Sequence, residues 1–179
     1  LKQQLEGLDH SEENLAELEN AYEAANQTCL EKAATLTRTR EKAAKTVGKQ
    51  LKERLIPLGI PNVRFEINME PKPLCEDGAD RVQFLFSANK NSELQPIAQI
   101  ASGGEIARVM LSLKALISGA VKLPTIIFDE IDTGVSGRVA EKMAQMMKEM
   151  GQSDRQVISI THLPQIAAQG TTHYKVVKE

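Results

Sequence analysis

The chain is poor in aromatic residues and cysteine, and it lacks one common nucleotide-binding sequence altogether. Aromatic residues make up 3% of its 179 residues, tryptophan is absent, and the two cysteines are Cys29 and Cys75. Their spacing fits no metal site, and cysteines of this kind are typical of a reducing compartment. No apolar run reaches the ~18 residues that a membrane-spanning helix needs. No Gly-x-x-x-x-Gly-Lys-Ser/Thr loop occurs, so any nucleotide site within this sequence is incomplete.

Residues 1–56 carry the pattern of one long helix. They contain no proline, and their only glycines are Gly7 and Gly48. Apolar or small residues recur there mostly at alternating steps of three and four, the spacing of a coiled coil; they are Leu15, Leu18, Tyr22, Ala25, Cys29, Leu36, Ala43, Val47, Leu51 and Leu55. We expect a helix from about Ser11 to Ile56, after a break at Gly7 and ended by Pro57. A start inside such a pattern, without Met, predicts a fragment of a longer protein.

Charge is spread unevenly along this helix. The net charge of the chain is −2, which implies no overall attraction to nucleic acid. Residues 38–54 are nevertheless basic, with Arg38, Arg40, Lys42, Lys45, Lys49, Lys52 and Arg54 against Glu41 and Glu53. A basic helix face can bind DNA phosphates, but a solvated helix surface has the same composition and is the more frequent outcome. The sequence leaves open whether this face contacts DNA.

Residues 57–179 alternate between strand and helix patterns and are predicted to form a second domain. We expect antiparallel strands at 63–69 and 82–87, further strands at 125–128, 157–160 and 174–177, and helices at 104–119, 135–150 and 163–169. The apolar runs at 125–128 and 157–160 are typical of buried strands that pair in parallel through right-handed crossovers. The predicted fold class is therefore α/β. Met143, Met146, Met147 and Met150 have helical spacing and are predicted to be core residues.

Two carboxylates follow the apolar run at 125–128. Asp129 and Glu130 would emerge at the carboxyl end of a central strand, where open α/β sheets bind their ligands. One carboxylate there can hold Mg²⁺, and the next can act as the base for an attacking water. Taken alone, the two acids are explained equally well as a cap on the following turn.

A doubled glycine stands at the start of the helix predicted at 104–119. Ser102 and Glu105 have the spacing of a capping box, which explains them without any ligand. Gly103 and Gly104 are not explained in this way, because each costs about 1 kcal/mol relative to alanine in a helix. They would let another backbone approach and leave helix N–H groups facing outward, as the binding of a terminal phosphate requires.

A histidine, His162, follows the strand predicted at 157–160. At the end of a strand it can donate to a phosphate or hold an attacking water. An isolated loop histidine is more often a surface residue, so the functional interpretation depends on its position relative to the acids and the doubled glycine.

Taken in order, these motifs resemble those of the ATP-binding-cassette ATPases, and the long coiled coil that enters the domain is similar to the SMC-like branch. The resemblance is strongest to the RecN family of bacterial DNA repair proteins. It is carried by residues 84–89 (Phe-Leu-Phe-Ser-Ala-Asn), 100–105 (Ile-Ala-Ser-Gly-Gly-Glu) and 128–137 (Phe-Asp-Glu-Ile-Asp-Thr-Gly-Val-Ser-Gly), and by the junction at 58–65.

The resemblance implies a partial ATPase head lobe, with a P-loop NTPase-like sheet and flanking helices, preceded by the coiled-coil helix. It implies ATP and Mg²⁺ as cofactors. Asp129 would hold the metal, Glu130 would be the catalytic base and His162 the switch histidine. The signature motif, which contacts ATP held by a second protomer, would be Ser102, Gly103, Gly104 and Glu105. A loop at the dimer interface would contain Asp132, Thr133, Gly134 and Ser136.

The same resemblance implies the partners of the chain. The N-terminal half of the parent protein would supply the phosphate-binding loop, so this chain alone would be inactive. The full-length protein would be a cytoplasmic, nucleoid-associated ATPase that binds DNA, contacts no membrane and acts in recombinational repair of double-strand breaks.

The motifs depart from the usual pattern at two positions, and other proteins remain possible. Ala101 stands where many cassette ATPases have leucine, and Ser136 stands where many have aspartate, which leaves a role of Ser136 between protomers open. The alternatives are a chromosome-organising SMC protein, a nuclease-associated repair ATPase, a non-catalytic coiled-coil adaptor with a relic head, and a transporter ATPase subunit. The long charged helix argues against the transporter.

Overall fold

The structure is a computed structural model that describes residues 2–99, 103–120, 123–152 and 155–177, and the side chains from residue 14 onward. Its elements are α1 (Lys2–Leu55), β1 (Arg64–Cys75), β2 (Gly78–Ser87), β3 (Gln95–Pro96), a 3-10 turn (Ile97–Gln99), α2 (Gly103–Ile117), β4 (Thr125–Asp129), α3 (Gly137–Gly151), β5 (Gln156–Ile160) and α4 (Pro164–Ala167). None of the helices in this part of the chain is long and apolar enough to cross a bilayer.

The strands form two sheets. β1, β2 and β3 lie side by side in that order, and β3 pairs with β2 in antiparallel fashion. Only two residues separate β1 from β2, a connection that only antiparallel neighbours allow. β4 and β5 form a separate parallel pair, which confirms the parallel pairing predicted for the two apolar runs.

The chain divides into two compact units. The first contains Leu1–Ala43 and Met69–Val82, and the second contains Ala44–Asn68 and Gln83–Glu179. Both the long helix and the β1–β2 hairpin therefore contribute to each unit. The sequence placed the boundary at residues 56 and 57 instead, which stays a prediction about domains. The units differ from it because the far end of the hairpin packs against the helix.

A buried carboxylate joins the hairpin to the helix in the first unit. Asp80 is 7% exposed and accepts hydrogen bonds from the Thr37 hydroxyl at 2.7 Å and from Arg40 Nη1 at 2.9 Å. Arg40 Nη2 donates to the Asp77 carbonyl at 2.7 Å. The Thr37 hydrogen bond, followed by that of Arg40, lowers the pKa of Asp80 below its usual value. The charged side chain therefore stabilises the contact between hairpin and helix.

The second unit contains the apolar core that positions the parallel strands. The last turns of α1 and the junction after it bury Leu51, Leu55 and Leu58 completely. The hairpin contributes Phe65 and Phe86 to the same cluster. The methionine face of α3 is buried as predicted, with Met143, Met146, Met147 and Met150 between 0% and 9% exposed. Because one amphipathic face of α3 packs into this core, the loop before the helix is held beside the strand ends.

Three predictions about single elements are wrong. α1 runs through Gly7 without a break, because one glycine costs only about 1 kcal/mol in a helix that is otherwise continuous. β1 extends through Pro71 and Pro73 to Cys75. β1 lies at the edge of its sheet, and edge strands tolerate prolines where the position of the missing N–H group faces solvent. Residues 174–177 form no strand, because no strand of the described residues pairs with them, and Tyr174 is 93% exposed.

Candidate functional site

The parallel pairing of β4 and β5 brings the acidic residues and the histidine segment to one edge of the sheet. Asp129 is the register partner of Ile160, the last residue of β5. The Glu130 backbone N–H then donates to the Ile160 carbonyl at 3.1 Å, which extends the pairing by one residue. Thr161 and His162 follow directly. The order of elements in the sequence thus produces the juxtaposition of Asp129, Glu130 and His162 that the motifs suggested.

The two acids lie in different backbone conformations. Asp129 ends the strand, and its exposed side chain shares a face with Ile127, two residues earlier. Glu130, also exposed, has a φ of 45°, and in the described residues no other residue except glycine has a positive φ. A left-handed conformation is unfavourable for a side chain with a Cβ and is found preferentially at functional sites. The chain turns sharply at Glu130 and leaves its carboxylate at the end of the sheet.

The face of the strand pair that carries Asp129 is apolar and open. Ile127 is 59% exposed, Ile158 is 40% exposed and Ile160 is 52% exposed. Their neighbours on the other face, Ile126 and Phe128, are 5% and 3% exposed. The prediction that the run at 125–128 is buried is therefore correct for only one face. We call the three exposed side chains the isoleucine face.

The loop after Glu130 contains two buried residues, Asp132 and Val135, and several exposed ones. Asp132 is 1% exposed, and its Oδ2 accepts a hydrogen bond from the Thr161 hydroxyl. Thr133, Gly134 and Ser136, which the sequence assigned with Asp132 to a dimer interface, are exposed. Within the loop, the Thr133 hydroxyl donates to the Glu130 carbonyl at 3.0 Å. The side chain of Asp132 is therefore turned inward, whereas Thr133, Gly134 and Ser136 face outward.

His162 lies next to this buried carboxylate. Its ring is 68% exposed, and its Nδ1 is 3.8 Å from Asp132 Oδ1. Thr161, to which the sequence reasoning gave no role, holds the segment in place because its Oγ1 also accepts the Leu163 N–H at 3.0 Å. The only sequence signal for Thr161 is its place between the strand and the histidine.

The doubled glycine begins α2 beside the same loop. A Cβ added to Gly104 would lie 3.0 Å from the Thr133 carbonyl oxygen, so only glycine allows this close approach. A Cβ added to Gly103 would meet no atom of the described residues within 4 Å, and Gly103 is exposed. Glu105 is half-buried in the first turn of α2, and Ser102 lies outside the described residues. One glycine thus serves the packing of this chain, whereas the other faces open space.

The described residues contain few side chains placed to bind a metal ion. No group of three or more His, Cys, Asp or Glu side chains in this part of the chain is arranged to hold a metal ion. Asp129 offers a single exposed carboxylate. Magnesium is commonly held by one or two carboxylates with phosphate and water oxygens as its other ligands, so the donor at this edge fits a metal that arrives with a nucleotide.

The fold is that of part of an SMC-type ATPase head. The chain superposes on the Smc head domain of Pyrococcus yayanosii with a TM-score of 0.60, over 79% of this chain and 26% of that one, at 24% identity. It also superposes on a structure solved in work on ATP-driven dimerization and DNA-stimulated activation of SMC ATPases. There the TM-score is 0.51 over 79% of this chain and 83% of that one, at 18% identity. At these identities the likeness establishes the fold, and the predicted fold class is confirmed.

Within this class, the sequence is RecN-like over its whole length. It is 35% identical to the DNA repair protein RecN of Halalkalibacterium halodurans over all of this chain and 32% of the relative. It is 38% identical to the DNA repair protein RecN of Synechocystis over 96% of this chain and 29% of the relative. No protein-family model matches the chain. The resemblance predicted from the motifs is confirmed, and the chain spans about a third of the length of the curated relatives it matches.

Proposed function

We propose that this chain forms the C-terminal half of the ATPase head of a RecN-like protein that acts in recombinational repair of DNA double-strand breaks. The observation that carries the proposal is the placing of Asp129, Glu130 and His162 at the ends of two paired parallel strands. The open start of α2 at Gly103 adjoins the loop that follows them. The repair process itself is inferred from the name that the relatives share.

Each residue at the sheet edge has a role that its position supports. Glu130 is the general base, since an exposed carboxylate at a strand end can accept a proton from an attacking water. His162 contacts the terminal phosphate or the water with an exposed ring nitrogen. Asp129 would hold Mg²⁺, and the bound metal would neutralise charge on the phosphate oxygens of ATP.

The N-terminal half of the parent protein would complete the sheet and supply the phosphate-binding loop that this sequence lacks. The isoleucine face supports this partner, because parallel sheets are normally covered on both faces and exposed apolar patches mark interaction surfaces. The remaining two thirds of the relatives' length leaves room for it. This chain alone is therefore expected to bind and hydrolyse negligible ATP, and measurable turnover by it would contradict the assignment of a partial site.

A second protomer would face the signature motif. Support comes from Gly103, beside which the described part of the chain leaves room for an added Cβ, and from the exposed Thr133, Gly134 and Ser136 of the neighbouring loop. Ser102 and Glu105 complete the motif in this proposal. ATP held by one protomer would then be contacted by Gly103 of the other, which requires the two heads to dimerise, as the work on SMC ATPases describes for those proteins. Binding of DNA and a cytoplasmic, nucleoid-associated location belong to the same proposal.

The substitution Glu130→Gln in the full-length protein tests the proposed reaction. We expect hydrolysis to fall by about a hundredfold or more, because the amide cannot accept a proton. ATP binding should persist, so the variant should accumulate as an ATP-bound dimer that is detectable by size-exclusion chromatography with light scattering.

The matched control is Glu141→Gln on the exposed surface of α3, which makes the same change of charge away from the sheet edge. It should hydrolyse ATP at the wild-type rate and should not accumulate as a dimer. Normal hydrolysis by Glu130→Gln would refute the assignment of the base. Failure of the wild-type protein to hydrolyse ATP would favour a non-catalytic adaptor.

A further inference from the structure

Asp132 carries a buried carboxylate whose two oxygens have different surroundings. The side chain is 1% exposed. Oδ2 accepts the hydrogen bond of the Thr161 hydroxyl, whereas Oδ1 is buried without a hydrogen-bond partner in the described residues. A buried acceptor that lacks a donor is unfavourable. A nearby hydrogen-bond donor that could pair with Oδ1 would therefore be favourable.

A candidate for this donor is the ring of His162. Its Nδ1 is 3.8 Å from Asp132 Oδ1, which is about 1 Å longer than a charge-assisted N–H···O bond. The ring is 68% exposed and can turn, while Thr161 fixes the backbone beside it through the Leu163 N–H. Formation of the bond requires Nδ1 to move about 1 Å closer to Oδ1.

We propose that Asp132 is a positioning residue that accepts a hydrogen bond from the Nδ1–H of His162 when the site is assembled. The bond keeps a proton on Nδ1 and directs Nε2 away from the buried carboxylate, toward solvent and the nucleotide. The role in hydrolysis rests on the function proposed above, whereas the hydrogen bond itself does not. This assignment differs from a contact across a dimer interface, because the carboxylate faces the interior of its own chain.

The orientation of the ring determines whether His162 can present Nε2 to a water molecule or to a phosphate oxygen. With Nδ1 committed to Asp132, a neutral ring presents Nε2 as an acceptor for a water molecule. A protonated ring donates from Nε2 to a phosphate oxygen and from Nδ1 to the carboxylate. Both states require the same ring orientation, which Asp132 and Thr161 together provide.

The substitution Asp132→Asn separates positioning from packing because it preserves shape. The amide oxygen can still accept from the Thr161 hydroxyl, so its NH₂ group faces Nδ1, which must then act as an acceptor. The proton of a neutral ring moves to Nε2. We expect kcat for ATP hydrolysis by the full-length protein to fall about a hundredfold, with KM changed less than about twofold. The melting temperature should not fall, since a buried charge with an unpaired oxygen has been removed.

Two measurements distinguish positioning from a structural role. In protein labelled with ¹⁵N-histidine, the His162 ring should carry its proton on Nδ1 in the wild type and on Nε2 in Asp132→Asn. A His162→Gln variant identifies the resonance, and His173→Gln serves as the control that leaves activity unchanged. In a double-mutant cycle, Asp132→Asn should slow the His162→Gln variant by less than about twofold, because its effect passes through the missing ring.

Two results would overturn the inference. One is an unchanged tautomer in Asp132→Asn, and the other is a double variant whose loss of activity equals the product of the two single losses. If the wild-type protein hydrolyses no ATP, the proposed function fails instead, and the ring tautomer still decides whether Asp132 positions His162.

Discussion

Gly103 and Gly104 are adjacent at the start of α2, but they have different surroundings, and this difference predicts different effects of alanine. Gly104→Ala should lower the free energy of unfolding by about 1–3 kcal/mol, because its Cβ would be 3.0 Å from the Thr133 carbonyl oxygen. Gly103→Ala should change it by less than about 0.5 kcal/mol, since its Cβ meets no atom within 4 Å among the residues that the structure describes. Urea denaturation of the two variants measures both values.

ATP hydrolysis by the same two variants tests whether the space beside Gly103 belongs to a nucleotide. We expect Gly103→Ala to hydrolyse ATP much more slowly despite its normal stability, because the added methyl group would stand where the second protomer's nucleotide approaches. A stable Gly103→Ala protein with normal hydrolysis would show that nothing approaches this residue closely.

At the scale of the residue, the sequence predicts positions better than conformations. The neighbourhood of Asp129, Glu130 and His162 follows from an apolar strand before each motif, because parallel strands end at the same edge. The positive φ of Glu130 and the inward turn of Asp132 do not follow from the sequence. The inward turn of Asp132 goes with the hydrogen bond from Thr161 and with the approach of Gly104 to Thr133, whereas acidic residues are mostly exposed in proteins.

Among the elements, the hairpin and the helix of the first unit give a prediction that depends on one hydroxyl group. Thr37→Val should increase hydrogen exchange of the β2 amides near Asp80 by about tenfold, because Asp80 loses its 2.7 Å hydrogen bond. Thr35→Val is the matched control, since the Thr35 hydroxyl bonds only to the Glu31 carbonyl of its own helix. Equal effects of the two substitutions would contradict the role of Asp80.

The same contact should weaken in acid. The pKa of Asp80 in the folded chain lies below its usual value, so its charged form is favoured by folding. Its stabilising contribution is therefore complete above the unfolded pKa of about 4 and is lost as the pH falls through the lower folded pKa. The nearby Cys75 and Lys72 lower the pKa of Asp77 to about 2, so its contribution changes in the same direction.

Thermal melting between pH 7 and pH 2 measures this dependence. Thr37→Val should lose less stability in acid than the wild type, because the main cause of the shifted Asp80 pKa has been removed. A wild-type melting temperature that is as high at pH 2 as at pH 7 would contradict the prediction.

For the elements as a group, apolar periodicity predicted α2, α3, β4 and β5 close to their observed bounds. Local breaker residues were less reliable. α1 continues through Gly7, because a long helix tolerates one glycine. β1 continues through Pro71 and Pro73, because an edge strand tolerates prolines. The strand predicted at residues 174–177 is absent because a strand exists only where a neighbour supplies hydrogen bonds, which no single segment reveals.

For the whole molecule, the isoleucine face gives the sharpest prediction. Ile127→Asp should leave the stability of this chain alone within about 0.5 kcal/mol, since the side chain is 59% exposed. In the full-length protein it should cost about 2–4 kcal/mol, because the charge would be buried against the other half of the head. Urea denaturation of both forms measures the difference.

The neighbouring residue provides the control for this experiment. Ile126 is 5% exposed on the opposite face, so Ile126→Asp should unfold the second unit in either form. Equal effects of Ile127→Asp in the chain alone and in the full-length protein would show that the isoleucine face stays open.

The compact units of the chain depend on contacts between residues that are distant in the sequence. Composition changes at Pro57, and that change suggested a boundary there. That domain boundary stays a prediction, whereas the first compact unit contains the Asp80 contact, which joins residues 43 positions apart in the sequence. Contacts of this range follow from the packed fold and leave no mark on local composition.

The isoleucine face also has a consequence for how such a protein is made in the cell. Ribosomes release the N-terminal end of a chain first, and domains begin to fold as they emerge. If the N-terminal half supplies the rest of the sheet, the strands of that half have already been synthesised when β4 and β5 leave the exit tunnel. In a circular permutant that translates this segment first, the isoleucine face would stay exposed until the rest of the chain is synthesised. Such a permutant should depend more on chaperones for folding than the protein with the natural order of segments.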